Sequence, residues 1–416
     1  MTRLRSEILS KGFRWKNLCF LLSAIMMSTI FLVPAATPVE KAPLGPSVTK
    51  NLVQGNSAFA VKLYRELGAS DGNLFFSPYS ISSALGMTYA GARGVTAKEM
   101  KSTLDFSLDQ DALPPAFKLL NRELAATASK TGQKLNIANA LVLTGGDVSG
   151  EFKATLKNYF DAKIFGGGLD SINGWVKQKT EGKIEKILDK LDPNSVCVLL
   201  NAIYFKGTWA SQFKKSSTHD APFNLSADKQ VTVPMMYQKN DFKLLEGKDF
   251  QAVSLPYQGK SLSMVVFLPR TVNGLAALER QFTDQSLTDW LAKLDEQPVQ
   301  KVELFLPRFK LETKYDLVSP FTMMGMKEAF ELSKADFRGM GWPKGRLFIS
   351  QIKHKAFVEV NEEGTEAAAA TAVEMATKSI RQNPVFRADH PFFCLIRDNE
   401  SGSILFMGRI VNPETR

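Results

Sequence analysis

The sequence predicts an α+β fold with largely antiparallel sheets, and three observations carry that expectation. Helical spacing dominates early, as in Phe59, Leu63 and Leu67 with Ala60 and Tyr64 beside them. Strand-like segments dominate late, at Val196–Phe205, Val253–Leu268, Val302–Leu311, Ile352–Val360 and Ile404–Ile410. Strand–helix–strand alternation, the mark of a parallel sheet, is scarce between them. The 416 residues are 44% apolar and 23% charged, which excludes collagen-like, low-complexity and wholly disordered chains. With no internal repeat and no second linker, residues 51–416 read as a single domain.

Residues 1–36 read as a secretory signal peptide. Arg3, Arg5, Lys11, Arg14 and Lys16 precede an uncharged run, Leu18–Val33, and small residues follow at Ala35 and Ala36. The run has 16 residues and contains Ser23, Ser28 and Thr29, which is short for a membrane anchor of about 20. The expectation from this segment is a secreted, extracellular protein, or a periplasmic one. Residues 37–50, with Pro38, Pro43 and Pro46, read as a spacer. The net charge of +10 suggests nucleic acid, but the first 36 residues carry +4 of it. Elsewhere the charges interdigitate: five lysines between Lys177 and Lys190 alternate with Glu181, Glu185 and Asp189, a solvated helical face. No nucleic-acid partner is expected. Three cysteines and three histidines lack metal-ligand spacing, so no metal and no cofactor are expected either.

Within the domain, Asn73–Phe76 is a short apolar strand, and Pro78 opens a helix through Met87 with Ser77 as its N-cap. Gly68-Ala-Ser-Asp-Gly72 matches the G-x-S-x-G pattern of a hydrolase nucleophile elbow at Ser70. The elbow requires a strand before the serine and a helix after it, the reverse of the order here, so a turn accounts for the glycines. Gly166–Gly168 likewise reads as a turn after a strand. Gln258–Gly259–Lys260 reads as the tip of a hairpin, and Asp398–Gly402 as a turn before the last strand.

His354 lies on the apolar face of its strand with Ile352, Ala356, Val358 and Val360. A lone histidine there satisfies another buried polar group, and Asn201, Ser77 and Ser80 are candidate partners. The stretch Glu362–Ala372 is rich in alanine and glutamate, which alone reads as helix. However, it follows a strand directly and runs into an aperiodic stretch to Ala388. A loop this long inside a domain is functional more often than not. In extended form Thr365, Ala367, Ala369 and Thr371 share one face, all small and uncharged, able to slide into a sheet.

Several separate motifs resemble those of the serpins, the serine-protease inhibitors of the suicide-substrate type. They are Asn73–Met87 with Gly91–Thr96, Ile172–Val176 with Thr180–Ile184, Leu200–Trp209, Leu306–Lys310, Val360–Ala370 and Phe386–Phe393. The resemblance covers Asn51–Pro413. It implies three β-sheets, about nine helices and an exposed reactive-centre loop at about 362–388. It also implies a monomer that is not an enzyme. A protease attacks the loop as substrate, and after acylation the cut loop enters the main sheet as a new strand.

By the same resemblance the hinge is Glu362, Glu363, Gly364, Thr365, Glu366, Ala367, Ala368, Ala369, Ala370 and Thr371. Ser77, Ser80, Asn201 and His354 correspond to the family's shutter, and Trp209, Arg308 and Glu362 to its breach. Counting the family spacing from Glu362 places the reactive bond at Lys378–Ser379, with Arg381 as second choice. A lysine there suits the carboxylate of a trypsin-like specificity pocket. The implied partner is therefore a trypsin-like serine protease, held in a covalent 1:1 complex. Leu113–Lys130 lacks the basic cluster of heparin-activated members, so no glycosaminoglycan activation is expected. The short stretch between Phe165 and Ile172 implies that the front helix lacks its usual start. The alternatives are a non-inhibitory serpin acting as carrier or chaperone and, remotely, a serine hydrolase at Ser70.

Overall fold

Pro46 opens the first helix, α1 (Pro46–Leu67), so the expected spacer ends before residue 50. Proline lacks only an N–H that the first helical turn leaves unpaired anyway, and Leu52 and Val53 already face the core. The computed structural model describes residues 46–191, 197–365 and 383–414. The segment 1–36, hinge residues Glu366–Thr371, the bond Lys378–Ser379 and Arg381 lie outside them. Leu44–Arg416 forms one compact unit.

Strand β1 (Leu74–Phe76) leads into α2 (Pro78–Tyr89), whose twelve residues are all buried. Ser77 caps it, its hydroxyl accepting from the Ser80 N–H at 3.1 Å. Helices α3 (Gly94–Thr103) and α4 (Leu113–Lys130) precede strand β2 (Lys134–Leu143). Helix α5 (Gly150–Thr155), ending in one π turn, precedes β3 (Lys163–Phe165) and α6 (Leu169–Lys179). The front helix α6 starts abruptly after Gly168, which caps it in the left-handed region at φ 83°. The rest of the domain is mostly strand: β4 (Cys197–Thr208), β5 (His219–Ser226), β6 (Lys229–Glu246), β7 (Phe250–Pro256) and β8 (Leu262–Pro269). Helices α7 (Leu275–Arg280) and α8 (Asp284–Asp295) lie before β9 (Val299–Pro307) and β10 (Phe309–Asp316). Then come α9 (Val318–Met323), β11 (Ile349–Val360), β12 (Gly364–Thr365), β13 (Val385–Arg387), β14 (Phe392–Asp398) and β15 (Ile404–Ile410). Nine α-helices thus lie among the described residues.

The expected single strand Val302–Leu311 is two strands in two different sheets. Pro307 has no N–H to continue a ladder, and the Arg308 N–H instead donates to the Pro234 carbonyl at 2.9 Å. The chain turns there from β9 into β10.

One sheet runs β10–β11–β4–β2–β3, with β12 also on β4. Most pairs are antiparallel, as expected, but β11–β4, β2–β3 and β13–β9 are parallel. The second ladder system runs β1–β15–β14–β8–β7–β6–β9–β13, with β5 on β6. The expected second and third sheets are continuous here, because the 18-residue β6 pairs with β7 at one end and β5 and β9 along its length. The main core lies between the two systems around α2. A smaller apolar layer covers the outer face of the first sheet. There Ile172 and Val176 of α6, with Ile184, Ile187 and Leu188, pack on Ala138, Leu200, Tyr204 and Phe357.

Candidate functional site

His354 and Asn201, expected in a shutter, form a row with Asn139 across three neighbouring strands. His354 of β11 pairs in register with Asn201 of β4, and Asn201 with Asn139 of β2. Beneath them lie Ser77, the cap of α2, and Ser80 and Ser83 within it. The Asn201 amide donates to the Asn139 Oδ1 at 2.7 Å, to the Ser80 carbonyl at 3.0 Å and to the Ser80 hydroxyl. Its Oδ1 therefore faces the His354 Nδ1. A neutral ring with Nδ1–H satisfies both sides: Nδ1 donates to Asn201, and Nε2 accepts from the Ser77 N–H at 3.2 Å. Asn139 donates in turn to the Ser83 hydroxyl at 3.2 Å. The sequence does not point to Asn139 or Ser83: Asn139 shares its strand with Asn136 and Lys134, whereas Asn201 is alone in Val196–Phe205.

Burial pushes the His354 pKa down to about 3. In the unfolded chain the ring titrates near 6.5. A group with a depressed native pKa contributes stability that is complete above pH 6.5 and lost as pH falls towards 3. Between pH 6.5 and 4.5 the loss from this ring is about 2 kcal/mol. His354→Gln is expected to lower stability at pH 7 but to flatten this slope. Denaturant midpoints at pH 7 and pH 4.5 measure both; an unchanged slope would contradict the assignment.

At the breach, β11 and β4 part. Their parallel ladder runs from Ile349–Cys197 to Phe357–Tyr204. Beyond it, β12 takes the place beside β4, with Gly364 opposite Thr208 and Thr365 opposite Gly207, both antiparallel. Gly364 and Thr365, expected in the hinge, are thus already paired in the sheet. Gly364 has φ 149°, and a Cβ there would lie 2.0 Å from the Gly207 carbonyl oxygen, so only glycine fits. Thr365, expected beneath the sheet after insertion, is already 1% exposed. Its hydroxyl shares a 2.8 Å hydrogen bond with the Tyr257 hydroxyl.

Tyr257 is held from both sides. Trp209 stacks on it at 4.6 Å and 10°, and Phe205 meets it edge-on at 5.0 Å. The Trp209 indole N–H donates to the Asn361 carbonyl at 2.9 Å, and its backbone N–H to the Glu363 carbonyl at 3.0 Å. Glu362 is 2% exposed. Burial pushes its carboxyl up, but the Arg308 fork and the Thr218 hydroxyl outweigh this and hold it below its ordinary range. Arg308 Nε donates to both carboxylate oxygens at 2.9 and 2.8 Å. Lys215 pairs with Glu363 at 2.8 Å on the surface. Trp209, Arg308 and Glu362 lie together around Asn361 and Glu363, and Tyr257 and Thr218, which the sequence did not point to, join them.

Ser70 is not part of a hydrolytic site. It sits exposed in the turn between α1 and β1, and the Arg409 guanidinium binds its backbone carbonyl.

A buried polar row across β11, β4 and β2, and a short strand seated on β4 beyond the end of the β11–β4 ladder, make up the candidate site. The family model described as serpin (serine protease inhibitor) matches residues 54–413, and the chain belongs to the serpin family. Serpin B6 from Macaca fascicularis is 40% identical over 380 residues, covering 87% of this chain and 99% of its own. Leukocyte elastase inhibitor from Equus caballus is 40% identical over 388 residues, covering 88% and 100%. Among solved structures, human thyroxine-binding globulin complexed with thyroxine superposes with a TM-score of 0.80. It is 30% identical and covers 88% of this chain and 100% of its own. Serpins are protease inhibitors rather than hydrolases, and they form covalent complexes with target serine proteases.

The comparisons overturn the expected secretion. Serpin B6, serpin B8 and the leukocyte elastase inhibitors are intracellular serpins without signal peptides. The basic-then-apolar pattern of residues 1–36 was read from composition and flank rules alone, and nothing in these relatives supports reading it as a leader.

Proposed function

We propose that this chain is a suicide-substrate inhibitor of trypsin-like serine proteases, cleaved after Lys378. The observation that carries the reading is the antiparallel seat of Gly364–Thr365 on β4, the geometry with which an inserting strand must begin. The protease serine attacks the Lys378 carbonyl, an ester forms, and the peptide bond to Ser379 breaks with release of its amine. With that bond cut, the small-residue hinge face extends the β12 pairing down the sheet. The parallel β11–β4 ladder gives way to two antiparallel ones, and the His354–Asn201 contact has to open. Insertion then competes with hydrolysis of the ester, so the outcome is set by a rate ratio.

The relatives named as elastase inhibitors make the specificity the point to test. The test incubates the protein with trypsin-, chymotrypsin- and elastase-like proteases and maps the cut by mass. Cleavage after Lys378 by the trypsin-like enzyme is expected, and Lys378→Ala should lower its inhibition rate at least 100-fold. Arg381→Ala should change it less than threefold. If only the Arg381 variant matters, the register is wrong. A carrier role, suggested by the thyroxine-bound structural relative, would leave every protease in the panel uninhibited.

A further inference from the structure

The C-terminal end of α1 and the short α7 enclose a cleft of about 470 Å³ that neither the shutter nor the breach touches. Arg65 and Ala69 line it from α1 and the turn after it, Ala276, Glu279 and Arg280 from α7, and Arg409 from β15. Its volume is that of a small-molecule site. The charges around it are unevenly spent. Glu279 is committed: the Tyr64 hydroxyl donates to its Oε1 at 2.7 Å, and the Arg409 Nη1 donates to the same oxygen at 3.1 Å. Arg409 also takes up the carbonyls of the turn after α1. Its Nε donates to Gly72 at 2.9 Å, its Nη1 to Gly68 at 3.2 Å and its Nη2 to Ser70. Arg65 and Arg280 are exposed, and among the described residues their guanidiniums have no hydrogen-bond or ion-pair partner. The lining therefore holds two positive charges that nothing in it offsets.

An arginine in the last turn of a helix is ordinarily accounted for by the negative end of the helix dipole. Here two such arginines, from helices far apart in the chain, line one cleft. The carbonyls of the turn after α1, which would repel an anion, are already occupied by Arg409. Two planar forks with unspent donors suit an oxyanion that accepts from both, and a phosphate near −2 suits them better than a single carboxylate. Ala69 and Ala276 add apolar wall, and the cleft has room beyond a phosphate for the group that carries it. We propose that this cleft binds an organic phosphate, with its phosphate on Arg65 and Arg280 and its apolar body against Ala69 and Ala276. The site stands apart from the hinge, so its occupancy does not depend on whether the chain inhibits a protease.

The experiment titrates the full chain with phenyl phosphate, inorganic phosphate and phenol by calorimetry at low ionic strength. Phenyl phosphate should bind at one site about fivefold tighter than inorganic phosphate, and phenol should not bind. Arg65→Ala and Arg280→Ala should each weaken phenyl phosphate about tenfold. Both side chains are exposed, so the thermal midpoint without ligand should not move. Ala276→Trp, which fills the cleft and leaves every charge in place, should abolish binding. An affinity within about twofold of the native value in the Arg65→Ala/Arg280→Ala double variant, or in Ala276→Trp, would overturn the site. Equal binding of phenyl phosphate and inorganic phosphate would overturn the organic ligand. No binding of phenyl phosphate by the unsubstituted protein would overturn the proposal outright.

Discussion

Thr365→Arg is expected to turn the inhibitor into a substrate. Thr365, in the proposed hinge, is 1% exposed, opposite Gly207 and hydrogen-bonded to the buried Tyr257 hydroxyl. An arginine there would bury an unpaired charge, at a cost of roughly several kcal/mol, and would strip Tyr257 of its partner. The seat beside β4 would be lost before insertion begins. Recognition at Lys378, thirteen residues on, does not involve this contact. Cleavage should stay fast, while insertion slows by about 100-fold or more against ester hydrolysis. Moles of inhibitor consumed per mole of protease blocked report this ratio directly. Thr365→Ser keeps the hydroxyl towards Tyr257 and should stay near the native value. Unchanged stoichiometry in Thr365→Arg would remove hinge entry from the mechanism.

The second large effect is on stability. A cut between Thr371 and Ser379 should raise the thermal midpoint by roughly 20 °C. The intact sheet holds β11 and β4 in a parallel ladder from Ile349–Cys197 to Phe357–Tyr204. Insertion places an antiparallel strand between them, adding on the order of ten net hydrogen bonds at ~0.5–1.5 kcal/mol each. Equal midpoints for intact and nicked protein would place the chain with non-inhibitory members of its family.

Local signals in the sequence were reliable where one residue type answers one local need. The Ser77 cap, the turn at Gln258–Gly259–Lys260 and the lone polar residues Asn201 and His354 belong to this kind. Asn139 carries a weaker signal, because Asn136 and Lys134 share its strand. The break at Pro307 was legible too, since a proline cannot continue a ladder, but alternation on both sides masked it. The breach was legible only through family resemblance, because Arg308 meets Glu362 across 54 residues and Trp209 meets Asn361 across 152. No periodicity encodes such pairs. The seating of Gly364 and Thr365 is likewise a contact with β4, more than 150 residues earlier, and could not be read from the hinge itself. The expectation of secretion failed for a related reason: it rested on a basic then apolar stretch that fits targeting rules without being tested by any contact.

The central claim is that cleavage at the loop is converted into trapping. Its most direct measurement is the intact mass of the product formed with a trypsin-like protease, after denaturation in hot SDS. The account predicts one species joining the protease to the chain through an ester at Lys378, with the fragment beginning at Ser379 released by the denaturant. A product made only of free protease and cleaved chain, with the protease still active, would contradict it.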